Sequence, residues 1–389
     1  MKPHCGIETA VASMARDGHL RSFTELPAMV ARQAARAGLA DVLIYLADRQ
    51  QRVLREATGR GEDGHRRGRE VRVDGTVAGL AYIRGVPVRI GAEDRYWLPL
   101  LDGTERLGVL HVAFPDGADL DAARTLASMV GLLIVDKRSN SDAYARLIRT
   151  RPMSVASEMQ WTLMPPSTFS NERVTISAVT EPAYDNAGDS FDYALGGEGI
   201  SLAIFDAMGH DNAAGLLANL AVGAYRNQRR RGTDLETMPR AVEAILTEEW
   251  VRSRFTTALM CELDTRTGVL SWVDCGHLPP VLIRGGRARE LPCDPSHPLG
   301  MDLGLPVTVC REPLEPGDRV LLYTDGITEA RDARGREFGL ERFADFILRG
   351  ETSRLPVPET LRRLTQAVLA HHHGRLTDDA TVMVCEWHG

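Results

Sequence analysis

The chain has 389 residues, 43% of them hydrophobic and 25% charged, with 46 lysines and arginines against 53 aspartates and glutamates for a formal charge of −7. That composition fits a folded, water-soluble protein of two or three domains. The acidic balance and the short basic clusters exclude the electrostatic footprint of a nucleic-acid or anionic-membrane binder.

The longest apolar run, near Leu126 to Val135, is far shorter than the ~20 residues of a spanning helix. Met1 to Gly6 lead into no signal-peptide core, so a cytoplasmic protein is expected. The cysteines Cys5, Cys261, Cys275, Cys293, Cys310 and Cys385 are never closer than 14 positions. A zinc ribbon or redox dithiol is thereby excluded, and buried free thiols are the expectation.

Residues 1–16 read as an N-terminal tail. A first α+β block spans 17–135, with a helix from Leu26 to Ala37 and strands at 40–48 (ADVLIYLAD), 52–57 (RVLREA) and 106–114 (RLGVLHVAF). The glycine- and alanine-rich segment 75–88 interrupts it as a helical turn packed on a sheet. From Asp119 onward Leu120, Ala123, Leu126, Met129, Val130 and Leu133 recur at helical spacing, and the helical pattern runs to Leu163 before Pro165 and Pro166 stop it. Residues 136–166 read as a helical connector; the competing reading is a terminal helix of the first domain followed by a loop.

The second block, 167–389, carries strand patterns at 174–180, 200–206, 255–263, 269–275, 280–284, 318–325 and 380–387. Helical patterns alternate with them, the first capped by Asp211 or Asn212, later ones following Gly339 and Pro358. Short turns between strands imply antiparallel sheet, so sheets flanked by helices fit better than a doubly wound parallel sheet.

Asp206 closes one apolar strand, Asp325 closes another, Asp378 and Asp379 open a third, and Asp189 follows Gly188. Aspartates at strand ends present carboxylates at a sheet edge, where convergent negative charges require cations. An all-oxygen donor set suits Mg2+ or Mn2+ in a dinuclear site acting on a phosphoryl group. A nucleotide cyclase or transferase would also want a phosphate-cradling glycine-rich loop, and the carboxylates have none beside them.

The segments EPAYDNAGDSFDYAL, AIFDAMGHD, FTTALMCELDTRTGVLSWVDCGHLPPVLIR, HPLGM, EPLEPGDRVLLYTDGITEARDARGREFG and LTDDATVMV resemble, in this order over 167–388, the PPM-type serine/threonine phosphatases of the SpoIIE/RsbU branch. The resemblance implies an α/β/β/α sandwich, two Mn2+ or Mg2+ ions, and hydrolysis of phosphoserine or phosphothreonine on a protein, typically an anti-sigma-factor antagonist. It makes Asp189 and Asp206 the bridging ligands, adds the Ala207 carbonyl, and completes the shells with Asp325 and Asp378, Asp379 supporting or substituting for them. His210 becomes the general acid, and Gly276 and His277 a scaffold beneath the site. Two positions depart from the family pattern: paired glycines read Ala187-Gly188, and GHG reads Gly209-His210-Asp211. Asp211 could strain the backbone, cap the next helix or add charge near the metals, which keeps a pseudophosphatase, a binding module without turnover, as the alternative.

Residues 17–135 resemble a GAF domain, which implies a sensor of unknown ligand or a dimerisation module. A homodimer whose connector controls assembly of the metal site is the resulting expectation.

Overall fold

A computed structural model describes residues 3–115, 117, 119–181, 184, 188–209, 211–249, 254–353, 355–372, 376 and 378–389, without the side chains of 3–5, 249 and 351. The chain divides into the units Met1–Pro152 and Met153–Gly389.

The first unit runs α1 (Pro3–Asp17), α2 (Leu26–Arg36), β1 (Ala40–Ala47), β2 (Val53–Glu56), β3 (Glu70–Arg72), α3 (Val77–Arg84), β4 (Val88–Arg89), β5 (Arg95–Asp102), β6 (Glu105–Ala113), α4 (Leu120–Arg138) and α5 (Asp142–Leu147). Its strands form one antiparallel sheet in the order β3-β2-β1-β6-β5-β4. One face packs under α1, α2 and α4 through Met14, Val30, Ile44, Leu110, Leu126 and Ile134, while α3 covers the other through Ala78, Ala81 and Tyr82 against Tyr45 and Val109.

Two expectations are corrected here, and one strand had no sequence expectation. Residues 3–17 are a helix and no tail, because Ile7, Ala10 and Met14 share one face and enter the core. A free-standing connector is absent among the described residues: α4 and α5 bury Leu133, Ile134 and Leu147 in the first unit, and only the helix after Pro152 belongs to the second. The strand β5 was illegible because Pro99 interrupts it. The two-residue β4 pairs only with Tyr96 and Trp97, so the missing N–H of Pro99 faces no second neighbour.

The second unit runs α6 (Val155–Leu163), β7 (Thr168–Ser170), β8 (Val174–Glu181), β9 (Asp189–Gly196), β10 (Gly199–Ala207), α7 (Asn212–Arg230), α8 (Met238–Glu249), β11 (Thr256–Asp264), β12 (Val269–Cys275), β13 (Val281–Arg284), β14 (Arg287–Glu290), β15 (Cys310–Pro313), β16 (Arg319–Tyr323), α9 (Asp325–Thr328), α10 (Leu340–Thr352), α11 (Val357–His371) and β17 (Ala380–Trp387). Two antiparallel sheets, β15-β12-β11-β10-β9 and β14-β13-β16-β17-β8-β7, lie face to face.

Side-chain alternation along β10 explains the layering. Ile200, Leu202 and Ile204 enter the core between the sheets, whereas Ala203, Phe205 and Ala207 meet α7 and α8. A strand covered on both faces reads as a continuous apolar run, and each large side chain so buried contributes about 1.5–3 kcal/mol. On the far side, Leu321, Tyr323, Val382 and Val384 pack under Phe343, Ile347, Leu361 and Leu364 of α10 and α11. The order helix, sheet, sheet, helix is the expected sandwich.

Cys261, Cys275 and Cys385 are buried free thiols. Cys293 and Cys310 are instead joined in a disulfide, correcting the expectation for that pair: the irregular segment between them folds back so that residues 17 apart meet. Among the described residues no helix is long and apolar enough to cross a membrane.

Candidate metal centre

Antiparallel pairing of β9 with β10 sets Asp189 directly opposite Asp206, a juxtaposition of like charges that a sheet does not tolerate without compensation. The other sheet delivers the remaining carboxylates. Thr324 and Asp325 follow β16, and Asp378 and Asp379 precede β17. Thr324 Oγ1 donates to Asp189 Oδ2 at 2.6 Å, and the backbone N–H groups of Gly188 and Asp189 donate to Asp379 Oδ2 at 2.5 and 3.1 Å. These bonds stitch the two sheet edges together. Gly188 has no room for a side chain, since a Cβ there would lie 2.7 Å from the Gly209 carbonyl oxygen.

Burial, then the charges of Asp206 and Asp379, push the Asp189 carboxyl well above the usual range, against the opposing effect of the Thr324 bond. Burial and then Asp325, Asp378 and Asp379 push Asp206 up to about 7. Asp325 is raised by burial, then by Asp378 and Glu329. The aspartates named from the sequence are thereby linked: Asp206 and Asp379 act on Asp189, Asp325, Asp378 and Asp379 on Asp206, and Asp378 on Asp325.

Among the described residues no group of three or more His, Cys, Asp or Glu side chains is placed so as to hold a metal ion. The chemistry of the gathered donors nevertheless fits a hard divalent cation: they are carboxylates whose mutual repulsion a cation offsets. Ala207 ends β10 beside Asp206, its N–H donating to the Gly188 carbonyl at 3.0 Å. His210 and Ala187 lie outside the described residues.

His277 bridges the sheets from below. Its Nε2 donates to the Tyr323 carbonyl at 3.1 Å, which leaves Nδ1 to accept from Thr257 Oγ1 at 2.7 Å; a carbonyl only accepts, so this tautomer follows. Burial lowers its pKa to about 4, and the neutral ring ties β11 to the end of β16. Because the unfolded chain binds a proton near the ordinary value of ~6.5, His277 makes stability fall as pH drops from about 6.5 towards 4. His277→Gln is expected to lower stability at pH 7.5 and to remove about one proton of slope from that window, as read from denaturant melts at several pH values.

Some participants escaped sequence reading. Thr324 stands next to Asp325 and could have been suspected from that adjacency. Gln160 Nε2 of α6 donates to the Asp189 carbonyl; a glutamine one turn after Ala156 on a buried stripe was the available signal. Arg226 pairs with buried Asp192 and donates to the Leu163 carbonyl, so the C-terminal turn of α6 is held beside β9 at two points. Asp211 caps α7 by accepting from the Ala214 N–H at 2.9 Å. Its φ of −101° carries no left-handed strain, and a hydrogen-bonded Arg254 lowers its pKa.

Facing antiparallel sheets with helices outside and strand-end aspartates at one edge define a PPM-type phosphatase domain. Residues 196–388 match the family model described as Stage II sporulation protein E (SpoIIE), and the second unit belongs to that SpoIIE/RsbU branch. The matched span holds Asp206, Asp325, Asp378 and Asp379; Asp189 precedes it and is brought in by β9–β10 pairing. The chain is 23% identical over 60% of its length to the phosphoserine phosphatase RsbU of Bacillus subtilis, covering 69% of that protein. It is also 23% identical over 58% of its length to protein IcfG of Synechocystis sp., of which it spans only 40%. The solved SiaA-PP2C domain of Pseudomonas aeruginosa shares the fold, with a TM-score of 0.52 at 20% identity over 59% of this chain and 94% of that one.

Proposed function

We propose that the chain is a divalent-metal-dependent protein serine/threonine phosphatase acting on a regulatory phosphoprotein, of the anti-sigma-factor-antagonist class, under control of a GAF-like N-terminal unit. The observation that carries this reading is the convergence of Asp189, Asp206, Asp325, Asp378 and Asp379 from two sheets, the carboxyls of Asp189, Asp206 and Asp325 being raised by burial and by their acidic neighbours. Asp189, Asp206, the Ala207 carbonyl, Asp325 and Asp378 would hold two Mn2+ or Mg2+ ions, while Asp379 orients the start of β9 through its backbone bonds. When bound, such ions supply Lewis-acid activation of water and neutralise charge on the phosphoryl group. His210 would hold the proton delivered to the departing seryl or threonyl oxygen.

The non-catalytic alternative drew on Asp211 as an added charge, and Arg254 matches that charge. Regulation is supported by α6: a signal arriving at residues 153–166 meets the centre through the Gln160 contact with Asp189. One experiment tests activity and control together. Phosphoserine-peptide hydrolysis is measured with Mn2+ or EDTA for the full chain and for residues 153–389, with sedimentation of the same samples. The reading expects Mn2+-dependent turnover, a dimeric full chain and altered activity in the shorter one. Turnover unaffected by EDTA would end the metal reading, and a monomer with unchanged activity on truncation would end the regulatory one.

A further inference from the structure

We propose that Asp211 and Arg254 form a clamp that fixes Met208 and Gly209 beside the carboxylate centre, making both positioning residues for the metal-dependent reaction; the proposal rests on the phosphatase reading above. Arg254 Nη1 and Nη2 each donate to a different oxygen of Asp211 at 2.8 Å, and Nη1 also donates to the Met208 carbonyl at 3.3 Å. The Met208 N–H donates in turn to the Phe255 carbonyl at 2.9 Å. Asp211 Oδ1 meanwhile caps α7. One guanidinium therefore joins the exit of β10, the entry of β11 and the first turn of α7.

Gly209 lies between clamp and centre. Its φ of +95° is left-handed, and a Cβ there would stand 3.4 Å from Arg254 Nη1. Its carbonyl oxygen faces Gly188, which precedes Asp189 and whose own backbone bonds reach Ala207 and Asp379. A shift of the guanidinium is thus passed through the Gly209 peptide to the backbone that carries Asp189 and Ala207. A glycine at position 211 could make neither the bidentate pair nor the cap.

Asp211 is 56% and Arg254 24% exposed in their side chains, so the pair contributes little to stability. Bidentate geometry nonetheless fixes orientation, and groups that orient metal ligands typically change metal affinity about 10–100-fold. That contrast separates positioning from a merely structural role.

The test uses the full chain as wild type, Asp211→Asn, Asp211→Gly, Arg254→Gln and the double variant Asp211→Asn/Arg254→Gln. Mn2+ binding without substrate is followed by the electron paramagnetic resonance of free Mn2+, alongside thermal melts in EDTA and kcat for p-nitrophenyl phosphate. Each single variant is expected to bind Mn2+ about tenfold more weakly with nearly unchanged melting, and the double variant no more weakly than the worse single. Arg254→Lys, which keeps the charge without the fork, is expected to fall between and carries the test should a harsher variant not fold. Wild-type Mn2+ affinity and kcat in the single variants, or losses that add in the double variant, overturn the clamp. A folded wild type that binds no Mn2+ overturns the phosphatase reading itself and the clamp with it, so the two failures are distinguishable.

Discussion

Asp206→Asn is expected to abolish metal-dependent hydrolysis and, in the same molecule, to stabilise the metal-free fold at neutral pH and above. Activity should fall by at least about 100-fold, because losing even an outer partner of a ligand costs about 10–100-fold in many metal sites. The stability effect comes from the carboxyl being pushed up to about 7 by burial and by Asp325, Asp378 and Asp379, against an ordinary value near ~3.9 in the unfolded chain. Below pH ~4 both states hold the proton and nothing is lost. As pH rises from about 4 to about 7 the unfolded chain ionises first, so the folded state loses stability throughout that window, reaching on the order of 4 kcal/mol at its upper end.

Asparagine keeps the shape and removes the titration. Melts in EDTA between pH 5 and 8 should therefore show a steeper decline for the wild type than for the variant, in which Asp189 and Asp325 remain raised by burial. Excess Mn2+ should reverse the ranking, since ligand binding to the native state stabilises only the protein that retains the site. Parallel pH profiles in EDTA would show that Asp206 does not carry the strain of the carboxylate cluster.

What could be read from the sequence follows from how each element is satisfied. Strands such as β10 and β17 are apolar on both faces because one sheet face meets the other sheet and the opposite face meets helices, so they announce themselves and mark the aspartates at their ends. The strand β9 does not: Asp189, Ser190 and Asp192 are buried, and Asp192 is tolerated only because Arg226 and Arg229, more than 30 residues later, close on it at 2.6 and 2.9 Å. Its polar residues read as a loop until those partners are placed. Arg254 is illegible for the same reason: nothing in its local sequence reveals a carboxylate 43 positions earlier. Asp189 is singled out with the other aspartates as the residue after Gly188, and the resemblance adds its role as a bridging ligand.

Gly326→Ala is expected to be among the most destabilising single substitutions in the second unit, although by helix propensity it should help. Asp-Gly reads as a turn signal, yet Gly326 lies inside α9 and is absent from the positive-φ glycines. Its constraint is space: a Cβ would sit 1.9 Å from the Asp379 carbonyl oxygen, 2.7 Å from its carbon and 3.3 Å from the Ala380 Cα. These are backbone atoms at the start of β17 and cannot rotate aside. Accommodation requires α9 and the Asp379 backbone to separate, which also parts Asp325 from Asp378 and Asp379. Overpacking of this kind costs about 3 kcal/mol or more, a melting shift of roughly 6–12 °C for a unit of this size, and it should weaken Mn2+ binding as well. The same change at Gly223 provides the contrast: it lies within α7, its φ is not left-handed, and a Cβ there meets nothing within 4 Å. Gly223→Ala should be neutral or stabilising by up to about 1 kcal/mol. Were Gly326→Ala to behave like Gly223→Ala in thermal melts, the close approach of α9 to β17, and with it the proposed joining of Asp325 to the other carboxylates, would be wrong.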